Sequence, residues 1–121
     1  MIKFEVDQSK RLLAIRYSGN VSAVESEKGL DDIRASLAKL ESGFRLLADL
    51  TELEKMDVRC APFIEQAMDL CNAKGASMVV RVIPDPHRDI GMTIMSIFHY
   101  RGGTQIFTCE TLMQADELLR D

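Results

Sequence analysis

The amino-acid sequence predicts a single α/β domain spanning residues 1–121, in which a mixed β-sheet of about five strands is covered by four helices. Short apolar runs with the two-residue period of strands alternate with longer runs whose apolar residues recur at helical spacing. Their order, β-β-α-β-α-β-α-β-α, is typical of a sheet whose later strands are parallel and joined by right-handed crossovers. The length of 121 residues, with 46% hydrophobic and 28% charged side chains, suits one globular domain.

The first two strands are predicted to form an antiparallel hairpin. Residues 2–6 alternate apolar and polar side chains, and residues 12–17 continue the strand pattern. The segment from residue 7 to residue 10 has the composition of a turn, and the second strand is expected to end at Ser18-Gly19-Asn20.

A helix is predicted after this hairpin, starting at the capping-box spacing Ser22-x-x-Glu25. Its apolar face is expected to contain Val24, Leu30, Ile33, Leu37 and Leu40. Gly43 follows the last of these and is suited to ending the helix.

Residues 44–50 are predicted to form the next short apolar strand, and the segment from Asp57 to Gly75 is predicted to form a second helix. Pro62 must lie in the first helical turn, because a proline deeper in the helix would remove a hydrogen bond and clash with the preceding turn. The cap is therefore expected between Asp57 and Cys60, and Gly75 is expected to end the helix. The apolar stripe of this helix is Phe63, Ile64, Ala67, Met68 and Cys71.

The remaining elements follow the same alternation. Residues 77–83 are predicted as a strand, Asp85-Pro86 as the start of a third helix, and residues 104–108 as the fifth strand. The third helix carries the apolar residues Ile90, Ile94, Ile97 and Phe98. Thr111-x-x-Gln114 has capping-box spacing and precedes a last helix. Its apolar residues are Leu112, Ala115, Leu118 and Leu119.

The charge balance argues against nucleic acid as a partner. The chain has 15 basic and 19 acidic residues, a formal net charge of -4, whereas nucleic-acid binding depends largely on basic surfaces that neutralise phosphates. No apolar run approaches the roughly 20 residues needed to span a bilayer, and the N-terminal sequence lacks the apolar core of a signal peptide. We therefore expect a cytoplasmic protein without a membrane span.

The three cysteines, Cys60, Cys71 and Cys109, are predicted to be free thiols, because an odd number without a secretion signal argues against disulfides. Cys60 and Cys71 would lie on one face of the second helix about 16 Å apart, which is too far for a disulfide. The main interpretation is that they are small apolar core residues. The alternative is a reactive thiol at Cys60, near a helix start, and hence a thiol-dependent enzyme.

No catalytic, cofactor-binding or metal-binding motif is recognisable in the sequence. A nucleophile elbow, a glycine-rich phosphate loop and a zinc-protease HExxH run are all missing. Asp85 before His87 is expected to cap a helix rather than to bind a metal, and His99 would lie about 120° around that helix. A cysteine–histidine pair formed in space is the remaining route to an enzyme. We expect no catalytic residue, no metal and no cofactor.

The helix predicted near residues 90–100 is apolar on more than one side and must be buried on more than one side. One interpretation is a plastic, methionine-rich core. The alternatives are a homodimer face or an apolar pocket for a lipid-like small molecule. The residues proposed for this oligomer or ligand face are Met92, Met95, Phe98 and His99.

The element order and two stretches of sequence resemble the STAS fold of anti-sigma-factor antagonists, and in particular its SpoIIAA-like branch. One stretch is Leu46-Leu47-Ala48-Asp49-Leu50-Thr51-Glu52-Leu53 followed by Met56-Asp57. The other runs from Thr108-Cys109-Glu110-Thr111-Leu112 to Leu118. The resemblance covers essentially the whole chain and implies a regulatory domain that binds a protein partner and has no chemistry of its own.

The sequence departs from the STAS pattern at the phosphorylation switch. The resemblance matches Asp57 to the family's aspartate, but Val58, Arg59 and Cys60 stand where a phosphorylatable serine would follow. It also matches Thr51 to a hydroxyl in the preceding turn, where its ordinary role is to cap the turn. The interaction corner implied by the resemblance therefore consists of Thr51, Asp57, Val58 and Arg59, without the serine switch.

Overall fold

The structure, a computed structural model, describes residues 1–84 and 104–120. The elements in these residues are β1 (Ile2–Asp7), β2 (Leu12–Val21), α1 (Ala23–Ala38), β3 (Arg45–Met56), a 3₁₀ turn (Val58–Cys60), α2 (Ala61–Lys74), β4 (Met78–Val82), β5 (Gln105–Cys109) and α3 (Leu112–Leu119). The predicted α/β class and the five strands are confirmed. The helix predicted after Asp85-Pro86 lies outside the described residues, which contain the other three helices.

The five strands form one sheet in the order β1-β2-β3-β4-β5. Strand β1 runs antiparallel to β2, with Ile2 opposite Tyr17 and Asp7 opposite Leu12. The pairs β2–β3, β3–β4 and β4–β5 are parallel. The sheet is therefore mixed, with an antiparallel hairpin followed by parallel strands, as the alternation of elements predicts.

The two faces of the sheet carry different cores. Helices α1 and α2 pack together on one face, where the larger cluster includes the fully buried Leu13 and Phe44. Helix α3 packs on the opposite face against β3, β4 and β5. The buried residues of this smaller cluster are Ala14, Leu47, Val80, Val82, Cys109, Ala115 and Leu119.

The predicted helix ends are largely confirmed. The Ser22 side chain accepts a hydrogen bond from the Glu25 amide at 3.2 Å. Thr111 and Gln114 form both halves of a capping box. Helix α2 ends at Gly75, which adopts a left-handed conformation with φ of 102°. These local contacts satisfy backbone groups that have no partner inside the helix.

Two predicted strand ends are wrong, because pairing between β2 and β3 continues past both of them. Ser18-Gly19-Asn20 was expected to end the second strand, but it lies inside β2 and pairs with the distal half of β3 across two register shifts. The strand predicted over residues 44–50 continues to Met56. Turn-forming residues can remain in a strand where a bulge absorbs the irregularity.

Some predicted apolar faces are also wrong. Val24, Leu112 and Leu118 are exposed, whereas the other apolar residues predicted for α1 and α3 are buried. Val24 is the second residue of α1, and its side chain is exposed to solvent. Gly43 does not end α1, which stops at Ala38. The Gly43 amide instead donates to the Gly75 carbonyl at 2.7 Å, where two loops meet.

Candidate functional site

An exposed corner follows the carboxyl end of β3. The Asp57 amide donates to the Val21 carbonyl at 3.0 Å, which fixes the corner to the end of β2. The Asp57 side chain accepts a hydrogen bond from the Arg59 amide at 2.9 Å and thereby caps the 3₁₀ turn. The chain then enters α2 with Pro62 in its first turn, as expected.

A two-point ion pair joins the side chains of Asp57 and Arg59. Arg59 Nη2 donates to Asp57 Oδ2 at 2.7 Å, and Arg59 Nε donates to Asp57 Oδ1 at 3.1 Å. The hydrogen bonds from Arg59 lower the pKa of Asp57 to about 2, so this carboxylate is ionised at neutral pH. The pair restricts the guanidinium, although 79% of the Arg59 side chain is exposed.

Val58 lies between these two charged residues and is 58% exposed. An exposed aliphatic side chain next to a positioned guanidinium can contact another protein, since the Arg59 donors not used by Asp57 remain available to carbonyl or carboxylate acceptors. The Asp57 carboxylate is held in the ion pair with Arg59. The arrangement of Asp57, Val58 and Arg59 is therefore suited to recognition.

Thr51 does not lie in a turn, contrary to the sequence prediction, because β3 continues through it. Its hydroxyl donates to Asp49 Oδ1 at 2.5 Å, and its amide donates to the same oxygen at 2.9 Å. Thr51 precedes Asp57 by six residues of extended chain, a distance of about 20 Å along the strand. The structure thus brings Asp57, Val58 and Arg59 together and leaves Thr51 apart from them.

Asp49 belongs to a charged row on the sheet face opposite α1. This aspartate is 5% exposed, and its Oδ2 lies 3.7 Å from Arg16 Nε. Arg16 also lies 4.0 Å from the Glu5 carboxylate. The sequence prediction missed this row, although an aspartate inside the apolar run of residues 44–50 was a signal for a buried charge with a partner.

Arg81 is a second buried charge that the sequence prediction missed. It is 8% exposed, and its Nη2 and Nε donate to Thr108 Oγ1 at 2.6 and 3.1 Å. Burial lowers the pKa of Arg81. An arginine within the apolar strand of residues 77–83 was the available signal, because buried arginines require hydrogen-bond partners.

The three cysteines are free thiols, and all are buried. Burial raises the pKa of Cys60 and Cys109, and it raises the pKa of Cys71 to about 12. Cys60 is 0% exposed, and its thiol donates to the Val21 carbonyl at 3.6 Å. A nucleophilic cysteine requires an accessible thiolate, so these surroundings do not support the thiol-enzyme hypothesis.

No group of three potential metal ligands occurs among the residues that the structure describes. His87 and His99 lie outside them, as does the proposed oligomer or ligand face of Met92, Met95, Phe98 and His99. Within the two described ranges, no helix is long and apolar enough to cross a membrane.

The described residues line a mainly apolar cavity beneath α2, of about 40 Å³. Its walls include Ile64, Met68 and Ile106. A water molecule in the liquid occupies about 30 Å³, so this space gives no support to binding of a lipid-like molecule. A larger cleft of about 1170 Å³ opens beside β1 and β2, but Arg16 and Arg120 are among its charged lining residues.

Solved structures with the same fold are found, whereas no protein-family model and no curated protein matches the sequence. The unphosphorylated anti-sigma factor antagonist SpoIIAA superposes with a TM-score of 0.68 at 16% identity, covering 99% of this chain and 98% of its own. A SpoIIAA-fold protein of the DUF3478 family from Shewanella loihica PV-4 gives 0.66 at 18% identity, covering 98% and 92%.

A variant of Moorella thermoacetica RsbS gives a TM-score of 0.57 at 14% identity, covering 99% of this chain and 98% of its own. All three neighbours have STAS-type folds. The likeness in fold extends over nearly the whole chain, as the sequence resemblance implied.

Proposed function

From this STAS-type fold, we propose that the chain is a non-catalytic regulatory domain that binds a protein partner through the corner formed by Asp57, Val58 and Arg59. The observation that carries the proposal is the exposed Val58 beside a guanidinium restricted by a two-point ion pair. One structural neighbour is named an anti-sigma factor antagonist, a name that refers to action against another protein.

The chemistry of the corner indicates the kind of surface that would bind it. Val58 needs an apolar contact, and Arg59 needs a carbonyl or carboxylate acceptor in addition to Asp57. Because Asp57 already balances the charge of Arg59, association should depend on fit and hydrogen bonding more than on long-range attraction. Regulation by a phosphoserine next to Asp57 is not part of the proposal, since residues 58–60 carry no hydroxyl.

The proposal also places the protein in the cytoplasm. Support comes from the three cysteines, which are unpaired in the structure. Unpaired thiols are usual where glutathione and thioredoxin keep cysteine reduced.

Photo-crosslinking from position 58 tests the proposed contact. A photoreactive amino acid replaces Val58 in one sample and Val24 in a matched control, since these valines are 58% and 62% exposed. Crosslinking in cells of the source should give a protein adduct of discrete mass from position 58 and none of that mass from position 24. The absence of an adduct specific to position 58 would overturn the proposal.

A charge reversal tests whether the same adduct depends on the guanidinium. Arg59→Glu, added to the position-58 sample, should reduce the adduct at least tenfold, because it removes the donor and places a second acid beside Asp57. Arg34→Glu is the matched control, since Arg34 forms an exposed ion pair with Asp31 on α1. Equal losses with both variants would contradict a role for the corner.

A further inference from the structure

Strand β1 has one unpaired edge in the described chain. It is hydrogen-bonded to β2 and to no other described strand. Ser18 donates its amide to the Met1 carbonyl at 2.8 Å, and the register is unbroken along β1. The alternation of antiparallel pairs therefore directs the backbone groups of every second residue away from β2. The residues with outward backbone groups are Ile2, Phe4 and Val6.

This edge lacks two of the devices that usually prevent strand pairing. Proteins protect edges with proline, with bulges, and with charged side chains, especially lysine. Strand β1 has no proline and no bulge. Its charged residues Lys3 and Glu5 are exposed on the sheet face opposite α1, because they alternate with the residues that pack on the main core. They leave the backbone edge open.

On that face, one basic residue lies near two carboxylates, whereas another has no acidic partner among the described residues. Lys3 lies directly opposite Arg16 in the β1–β2 register, and like charges in opposite positions destabilise a sheet. Arg16 has two carboxylates nearby, Glu5 at 4.0 Å and Asp49 at 3.7 Å. Among the described residues, Lys3 forms no ion pair. A carboxylate beside Lys3 would give this lysine an ion-pair partner.

We propose that β1 pairs antiparallel with β1 of a second copy of this chain, about a two-fold axis at Phe4. This register sets Lys3 opposite the partner's Glu5, and Glu5 opposite the partner's Lys3. The sequence Ile-Lys-Phe-Glu-Val is thus complementary to itself in charge and in apolar positions. Every other antiparallel register loses both of these ion pairs.

The backbone geometry supports the same register. Ile2, Phe4 and Val6 of both copies would form hydrogen-bonded pairs, giving about six hydrogen bonds between the two strands. Lys3 and Glu5 would then occupy the closely spaced positions between those pairs, where opposite side chains approach most closely. The interface is isologous and closes at the dimer, so the sheet continues across two copies and stops there.

Two charge-reversal variants test the proposal by sedimentation equilibrium. Wild-type protein should dimerise reversibly. Lys3→Glu and Glu5→Lys should each weaken self-association roughly tenfold or more, because each sets two pairs of like charges opposite one another. An equimolar mixture of the two variants should restore the dimer. In the mixed pair, the two acidic side chains at positions 3 and 5 of one chain would face the two basic side chains at positions 5 and 3 of the other.

Dimerisation restored by mixing the two variants would distinguish the β1–β1 interface from any other interface. Glu65→Lys makes the same charge change as Glu5→Lys, but at an exposed position of α2, and should leave dimerisation unaltered. Circular dichroism melting of each variant checks that the fold persists. A wild-type chain that stays monomeric at all concentrations would overturn the proposal. A dimer that is insensitive to both reversals, or a mixture that fails to re-associate, would also overturn it. The corner at Val58 is untouched by these variants.

Discussion

The two faces of the sheet show how neighbouring residues of one strand acquire different roles. On the face covered by α1 and α2, β2 contributes Leu13, Ile15 and Tyr17 to a continuous buried core. On the other face, α3 covers β3 to β5, and β2 presents Ala14 and then the half-exposed Arg16. The first face carries the larger core. The second face combines a smaller core with the charged row on which the proposed pairing of β1 rests.

The largest predicted effect distinguishes the two faces directly. Leu13→Ala should lower the free energy of unfolding by about 3–5 kcal/mol, because the side chain is 0% exposed within the main core. Leu12→Ala, one residue earlier and only partly buried on the other face, should cost about 1 kcal/mol. Urea unfolding of both variants measures the difference. Equal losses would show that the two faces contribute alike.

Gly75→Ala should have the next largest effect, at the loop that joins α2 to β4. Gly75 has a φ of 102°, and an added Cβ would lie 2.2 Å from Ser42 Oγ. Backbone strain and the displaced serine together should cost about 3 kcal/mol. Gly19→Ala is the control, since its φ is 64° with nothing within 4 Å of the added Cβ. Its cost should be about 1 kcal/mol. Thermal unfolding of both variants would reveal whether the contact with Ser42 matters.

A smaller effect is expected on the charged face. Arg16→Gln removes the cation near the buried Asp49 and should cost about 1 kcal/mol, because a buried carboxylate loses its ion-pair partner. Arg34→Gln breaks an exposed pair with Asp31 and should cost less than about 0.5 kcal/mol. If the Arg34 variant is the less stable of the two in chemical denaturation, Arg16 does not stabilise the buried Asp49.

The smallest effect concerns ionisation at the exposed corner. Asp57 should titrate with a pKa of about 2, below its ordinary value of 3.8. Since the folded-state pKa is lowered, the stabilising effect of the pair is fully present above pH 3.8 and is lost as the pH falls through about 2. Arg59→Gln should move the pKa of Asp57 toward 3.8. Carboxyl NMR titration measures both values, and a wild-type midpoint near 3.8 would contradict the two-point ion pair.

The sequence predicted local elements well where the signal lies in neighbouring residues. Capping at Ser22 and Thr111 depends on side chains within one helical turn of the helix start, and the helix end at Gly75 depends on the backbone conformation that glycine allows. The hairpin β1–β2 also follows from a short-range pattern. These features were predictable because the groups that interact are close together in sequence.

The wrong predictions concern segments whose structure depends on pairing between strands that are distant in sequence. Ser18-Gly19-Asn20 has the composition of a turn, yet β2 continues because the distal half of β3 pairs with it. The family resemblance placed Thr51 in a turn, but Thr51 lies inside β3. At the candidate site, the aspartate and arginine were identifiable in the sequence. Their two-point ion pair was not, because it depends on the backbone of the 3₁₀ turn.

The sequence by itself determined the α/β class, the number of strands and the ends of several helices, since periodicity and capping are local properties of a chain. Only the tertiary structure decided that Asp49 is buried near Arg16, that Arg81 bonds Thr108, and that β1 has an open edge among the described strands. Those features arise when distant segments come together. Burial and hydrogen-bonding partners depend on the neighbours that folding supplies, and the order of residues along one segment does not contain them.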